Sequence, residues 1–286
     1  MTRLRPNQTL RLLRDGAPAV GTWLQLHSIH ATRLLAAQGC FDWMLVDFEH
    51  TPVGHDTAAH IFSTISDLTQ GRITPLARVA TGSIDHIKQA LDAGSQGVIV
   101  PMIETAADAE AAVRYARFPP LGERGAGGLA PHLGFGVSRP EYIASVNGEI
   151  LVGVQIETIA GFENVEKILE VPGIDLVLIG PNDLHVSLGL PAKFWSDEPE
   201  FRSAVDRVVA ACREAAVPVG MVCRDAAAAK DRIEDGFTFL GLGSDAHFML
   251  TLAGQQFGEL YDLEEPAETW CNLVRLTTDA TNDPAR

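Results

Sequence analysis

The sequence holds no run of about eighteen apolar residues, so no segment reads as a membrane span. It is also short of positive charge. Its 22 lysines and arginines face 37 aspartates and glutamates, and the formal net charge of −15 argues against a polyanionic partner such as nucleic acid. Cysteine is sparse as well. Cys40, Cys212, Cys223 and Cys271 form no CxxC pair, which argues against a disulfide framework or a thiolate zinc site and suits a reducing, cytoplasmic setting. They are expected to be small buried side chains, with one near the C-terminal tail. The N-terminal stretch MTRLRPNQTLRLLRDG is basic and polar and lacks the apolar core of a signal peptide. A short helix over about residues 6–15, lying on one end of a barrel, is the better expectation.

What is present is a beat. Short apolar runs alternate with helix-like segments: Val20–Leu26, Trp43–Asp47, Thr74–Val79, Gly97–Pro101, Leu151–Ile156, Leu176–Gly180, Val217–Val222 and Phe239–Gly243. Near-continuous apolar runs are what parallel strands need when both faces are covered. Helices are predicted at Ile29–Gln38, Asp56–Leu68, from a Ser83 N-cap to about Asp92–Gly94, and from a Thr105–Asp108 capping pair. Further helices are expected near Ile159–Glu170, Glu198–Ala216 and Ala226–Asp235. Eight β/α units in a 286-residue chain predict an α/β fold, a single-domain (β/α)₈ TIM barrel over residues 1–286, closed by a C-terminal helix and tail at about 246–286. An open doubly wound sheet is the alternative, although the first run lacks a GxGxxG turn. The beat breaks only at Phe118–Gly136, a proline- and glycine-rich stretch that predicts a functional loop or lid with no regular element.

In such barrels chemistry sits beyond the C-terminal ends of the strands. Asp47, Glu49 and His50 follow the second run and Arg78 ends the third; Gln155 and Glu157 end the fifth, Asn182 and Asp183 follow the sixth, and Ser244 and Asp245 follow the eighth. Glu157 and Asp183 follow successive strands, so their carboxylates can converge on Mg²⁺ or Mn²⁺ or, alternatively, serve as a salt-bridged or capping pair. His50 is the candidate base, with Asp47 placed to bond one ring nitrogen; a surface or packed histidine is the plain alternative. Asp47, His50 and His55 raise a rival zinc site. Arg78 is either balanced by a carboxylate or turned toward an anionic substrate oxygen. No lysine stands at a strand end, which argues against a Schiff base.

The stretches GTWLQL, FDWMLVDFEH, TPLARV, IKQALDAGSQGVIVPMI, FPPLGERGAGG, VQIET, VPGIDLVLIGPNDLHVSLGLP and GFTFLGLGSD run in order from about residue 20 to 250. In them the chain resembles the HpcH/HpaI aldolase family of metal-dependent pyruvate aldolases. The resemblance implies Glu157 and Asp183 as ligands of a divalent metal (Mg²⁺, Mn²⁺ or Co²⁺). It implies Arg78 as stabiliser of an enolate oxygen, and His50 with Asp47 as an acid/base dyad. Gln155, Trp23 and the amides around Asn182 and Asp183 would bind a small 2-oxo acid. The implied activity is cleavage or formation of a carbon–carbon bond in a 4-hydroxy-2-oxo acid, with an aldehyde partner and a homo-oligomeric, hexamer- or dimer-based assembly. The loop LAPHLGFGVS is similar to the macrophomate synthase branch, which implies an oxaloacetate decarboxylase or carbon–carbon-bond-forming synthase as the alternative. A non-catalytic barrel that binds a small acid is the second alternative.

Overall fold

The computed structural model describes residues 4–261. It divides into a compact unit, Met1–Asp245, and a second one, Ala246–Arg286. The first is a closed barrel of eight parallel strands in sequential order: β1 (Ala19–Leu24), β2 (Trp43–Asp47), β3 (Thr74–Arg78), β4 (Gly97–Val100), β5 (Leu151–Ile156), β6 (Leu176–Ile179), β7 (Val219–Cys223) and β8 (Phe239–Ser244). β8 pairs with β1, so no edge strand remains. Of the second unit, the described residues continue the helix Asp245–Leu260, which leaves Met249, Leu252, Phe257 and Leu260 exposed. The expected C-terminal tail and Cys271 lie outside the described residues.

The period-2 alternation of each strand sorts its side chains into two cores. Met44, Val46, Ala77, Val152, Val154, Val177, Ile179, Met221 and Cys223 point outward into the layer beneath the helices. Trp23, Trp43, Leu45, Leu76, Ile99, Leu151, Leu176, Leu178 and Phe239 point inward and fill the barrel. Trp43 stacks flat on Phe239, with ring centroids 4.3 Å apart, and its indole N–H donates to the Ala19 carbonyl. Gly21 makes room for that ring: a Cβ there would lie 2.1 Å from Trp43 Cδ2. Below this plug the helix Gln8–Arg14 shuts the N-terminal end. Asn7 caps it through its side chain and donates to the carbonyls of Gln96 and Glu149.

The capping pair at Thr105 and Asp108 forms reciprocally, and Ser83 caps Ile84–Asp92. Three expectations change. β1 stops at Leu24 because the Asp245 carboxylate takes the main-chain N–H groups of Gln25 and Leu26, which removes them from the ladder. The helix expected over 159–170 is two, Ile159–Glu163 and Val165–Leu169, parted at Asn164, whose side-chain amide donates to Glu104 and Ala160 carbonyls. The 118–136 loop contains one short helix, Pro131–Gly134, started by a proline at its first position. Cys212 and Cys223 are buried as expected, whereas Cys40 is exposed.

Candidate functional site

The same alternation that fills the barrel builds the polar set at its mouth. Trp43 and Leu45 face inward on β2, so Asp47 does; Leu76 faces inward on β3, so Arg78 does. On β5 the inward parity of Leu151 passes through Gly153 to Gln155 and, just beyond the strand, Glu157. Trp23 closes the inward row of β1. The Asp47 carboxylate is fully buried and receives Arg78 in a two-point fork, Nε to Oδ1 at 3.0 Å and Nη2 to Oδ2 at 2.6 Å. The guanidinium lies over the Trp23 ring, 4.5 Å from its centroid. Its Nε also stands 3.2 Å from Glu49 Oε2, but its one hydrogen is committed to Asp47. Glu49 Oε2 therefore has the charge nearby and no hydrogen bond.

Glu157 is buried and held from two sides. Its Oε1 accepts the main-chain N–H of Met102 at 2.8 Å, and its Oε2 accepts from the Gln155 side-chain amide. Met102 donates from a left-handed conformation, φ 56°, which a non-glycine residue adopts at a cost. Gln155 Oε1 is buried without a partner. Asp183 is exposed in the first turn of the helix Pro181–Ser187. Gly180, at the inward position just past β6, leaves space that a side chain would fill: a Cβ there would lie 2.4 Å from Glu157 Oε2.

Burial is the main reason that Glu157 is pushed up to about 7; the bonds from Gln155 and Met102 oppose it, and the charges of Glu49 and Asp183 add to it. Burial likewise pushes Glu49 up to about 7, against the pull of Arg78 and with help from Asp47 and Asp183. Four carboxyl groups, those of Asp47, Glu49, Glu157 and Asp183, thus crowd a mouth whose Arg78 guanidinium is already paired. Among the described residues no group of three or more His, Cys, Asp or Glu side chains closes into a metal cluster. A cation here would draw on two carboxylates, with water or ligand oxygens completing its shell. The donor chemistry fits a hard divalent ion, because the oxygens are anionic and crowded and the Gln155 oxygen is unsatisfied.

The expected contact between the Asp47 carboxylate and the His50 ring is absent. Asp47 Oδ1 accepts the main-chain N–H groups of Glu49 and His50 instead, while His50 Nε2 lies 3.5 Å from Glu49 Oε2 with its side chain 55% exposed. The physical reason is occupancy, since Arg78 already takes both oxygens of Asp47. The zinc alternative is not assembled either, because His55 stacks on Phe48 rather than facing Asp47. Glu49 is the residue whose part in the site the sequence left unread. Its position two residues past inward-facing Asp47 was the available signal. The Met102 amide had none. His27 was missed too: with φ 50°, its Nε2 lies 2.7 Å from Thr51 Oγ1, tying the β1 loop to the β2 loop.

Known proteins share this arrangement of strands. The model of the HpcH/HpaI aldolase/citrate lyase family matches residues 20–251. The chain belongs to that family. It is 34% identical over 241 residues to a 4-hydroxy-2-oxo-heptane-1,7-dioate aldolase of Shigella sonnei, an alignment covering 84% of this chain and 90% of that one. It is also 34% identical over 254 residues to a hydroxypyruvate/pyruvate aldolase of Paraburkholderia phytofirmans, covering 87% and 95%. The crystal structure of a family member from Burkholderia cenocepacia superposes with a TM-score of 0.82 at 35% identity, over 89% of this chain and 99% of that one. The chain is, like the aldolases it resembles, a carbon–carbon lyase.

Proposed function

We propose that the chain is a divalent-metal-dependent aldolase that cleaves and forms the C3–C4 bond of a 4-hydroxy-2-oxo acid through pyruvate enolate. The observation that carries this is Arg78. Its guanidinium is fixed by the Asp47 fork and the Trp23 ring, and it stands at the mouth beside the Glu49 carboxylate. A permanent positive charge held rigid before reaction is what a developing enolate oxygen needs. The activities in the names of the two relatives support the same chemistry.

Glu157 and Asp183 would hold the metal, which when bound supplies Lewis-acid polarisation of the 2-oxo group. Gln155 and the amides of Asn182 and Asp183 bind the 2-oxo acid at its carboxylate end, with Trp23 as an apolar wall. In cleavage, the exposed His50 imidazole takes the proton of the 4-hydroxyl, and the C3–C4 bond breaks to release an aldehyde. The bonding pair moves to C2–C3, and the carbonyl electrons move to the oxygen beside Arg78. A proton from solvent water adds at C3 to give pyruvate, and the exposed imidazolium returns its proton to solvent. Asp47 acts by locking Arg78 and the His50 backbone, and Glu49 sits against the imidazole. The enzyme works as a homo-oligomer, for which the exposed apolar residues of the helix Asp245–Leu260 are the support.

Exchange of the pyruvate methyl protons with D₂O tests this reading, because it requires the enolate and no aldehyde. Exchange with Mg²⁺ or Mn²⁺ present, lost on chelation, is expected. Metal-loaded protein with no exchange would overturn it.

A further inference from the structure

A cavity of about 400 Å³ lies away from the Arg78 centre, on the outer side of β7. Its walls are the connection after β6 (Lys193–Trp195), the end of β7, and the helix Ala226–Glu234. Met221 and Cys223 belong to the outer core, so the strand itself stands between this space and the barrel interior, and only Val222 touches both. The volume falls in the range of small-molecule pockets.

The polar lining is unusual for a chain of net charge −15. Lys193, Arg224 and Arg232 face one acidic residue, Asp225, whose carboxylate is already engaged in capping the helix through Ala228 N–H and lies 3.4 Å from Arg224 Nε. Cys223 adds no charge, because burial pushes its thiol up to about 11. Arg232 is the telling residue. Its guanidinium carbon lies over Trp195, 3.4 Å from the ring centroid, and Nη2 pairs with Asp235 at 2.8 Å. The ring and the Asp235 carboxylate hold this positive charge in place at the cavity wall. Arg202 covers Trp195 as well, at 4.6 Å, so the ring serves as a rigid support for the cations and not as a stacking face for a ligand. The apolar part of the lining is left to Phe194, Met221 and Ala228.

We infer that this cavity is a second binding site, for a small organic anion whose carboxylate or phosphate meets Lys193, Arg224 and Arg232 and whose carbon skeleton lies on Phe194, Met221 and Ala228. The site is independent of the aldolase reading, because none of its residues belongs to the Arg78 centre. Calorimetric titration of the full chain with glutarate and, separately, with glycerol 3-phosphate tests it and distinguishes a carboxylate from a phosphate ligand. At least one of the two is expected to bind. Affinity should fall by about tenfold or more in a Lys193→Met, Arg224→Gln double variant, since charge-assisted bonds are lost. It should be unchanged in Arg78→Ala. Both lost side chains are on the surface, and an unchanged melting temperature establishes that the double variant is folded. No binding of either probe to the wild-type chain, binding retained in the double variant, or binding lost in Arg78→Ala would each overturn the inference.

Discussion

Arg78 is held by two hydrogen bonds to Asp47 at the barrel mouth, where the proposed chemistry places it, so its substitutions separate charge from geometry. Arg78→Ala removes the positive charge and leaves the buried Asp47 carboxylate without its fork. Pyruvate proton exchange and aldol cleavage should both fall by about 10²–10³-fold or more, the scale of a lost transition-state electrostatic contact. Arg78→Lys keeps a charge but loses the planar fork and should recover only a small part of each. Equal activity of the lysine variant and the native enzyme would mean that Asp47 does not set the position of the charge. His50 behaves differently, because its side chain is exposed and its Nε2 stands 3.5 Å from Glu49 Oε2. His50→Ala should cost cleavage about 10²–10⁴-fold while proton exchange, which removes no hydroxyl proton, falls much less. If both fell alike in parallel assays, His50 would be holding ligand in place and not taking the proton. At this scale the sequence indicated which residues reach the rim, through their places at the C-terminal ends of the apolar runs. It did not reveal which carboxylate takes which partner. That depends on the Arg78 fork, a contact between two strands, and on the Met102 backbone turning left-handed, which no residue type announces.

At the scale of elements, the sixth strand shows why a glycine belongs in a functional site. Gly180 occupies the inward position that a larger residue would fill, and the space is taken by the Glu157 carboxylate. Gly180→Ala places a methyl 2.4 Å from Oε2 and 2.8 Å from Glu157 Cβ, so the carboxylate must move. The expected outcome is a divalent-ion affinity at least about tenfold weaker, measured by calorimetry, as for other disturbances to groups that orient a metal ligand. The circular dichroism spectrum should remain native, since φ of Gly180, −87°, suits alanine. Unchanged metal affinity would remove Glu157 from the ligand set. The strands were the legible elements, because continuous apolar runs flanked by turns leave few readings. Their ends were less so: β1 ends early because Asp245, more than two hundred residues away, takes its last amides. The break at Asn164 is local but invisible to periodicity, since apolar spacing on both sides of it matches one helix.

Across the whole molecule, folding free energy and the site's charge are linked, and the sign of that link can be worked out. Glu157 ordinarily titrates at 4.5 and in the folded chain is pushed up to about 7, chiefly by burial. Between these values the folded state holds a proton that the unfolded chain has released. Folding therefore weakens as pH rises through that window and levels off above it. His27 and His55 act oppositely, because burial lowers both and the unfolded chain binds the extra proton. Glu49, also pushed up to about 7 by burial, adds to the Glu157 effect, so a raw melting curve against pH mixes all of these. Comparison with Glu157→Gln separates them, since Glu49 and the histidines are common to both proteins and glutamine keeps the shape without the charge. In metal-free protein, the melting temperature of the variant relative to the native chain should climb from about pH 5 to about pH 7 and then stay level. A divalent ion held by Glu157, as proposed, would bind the ionised carboxylate, so it would compete with that proton and stabilise the folded state by mass action. The rise in melting temperature given by a fixed excess of Mg²⁺ should thus grow over the same window in the native chain. It should be small at every pH in the variant. A metal-induced rise that is equal at pH 5 and pH 8, or equal in the two proteins, would show that the ion binds elsewhere and would detach Glu157 from the chemistry at the barrel mouth.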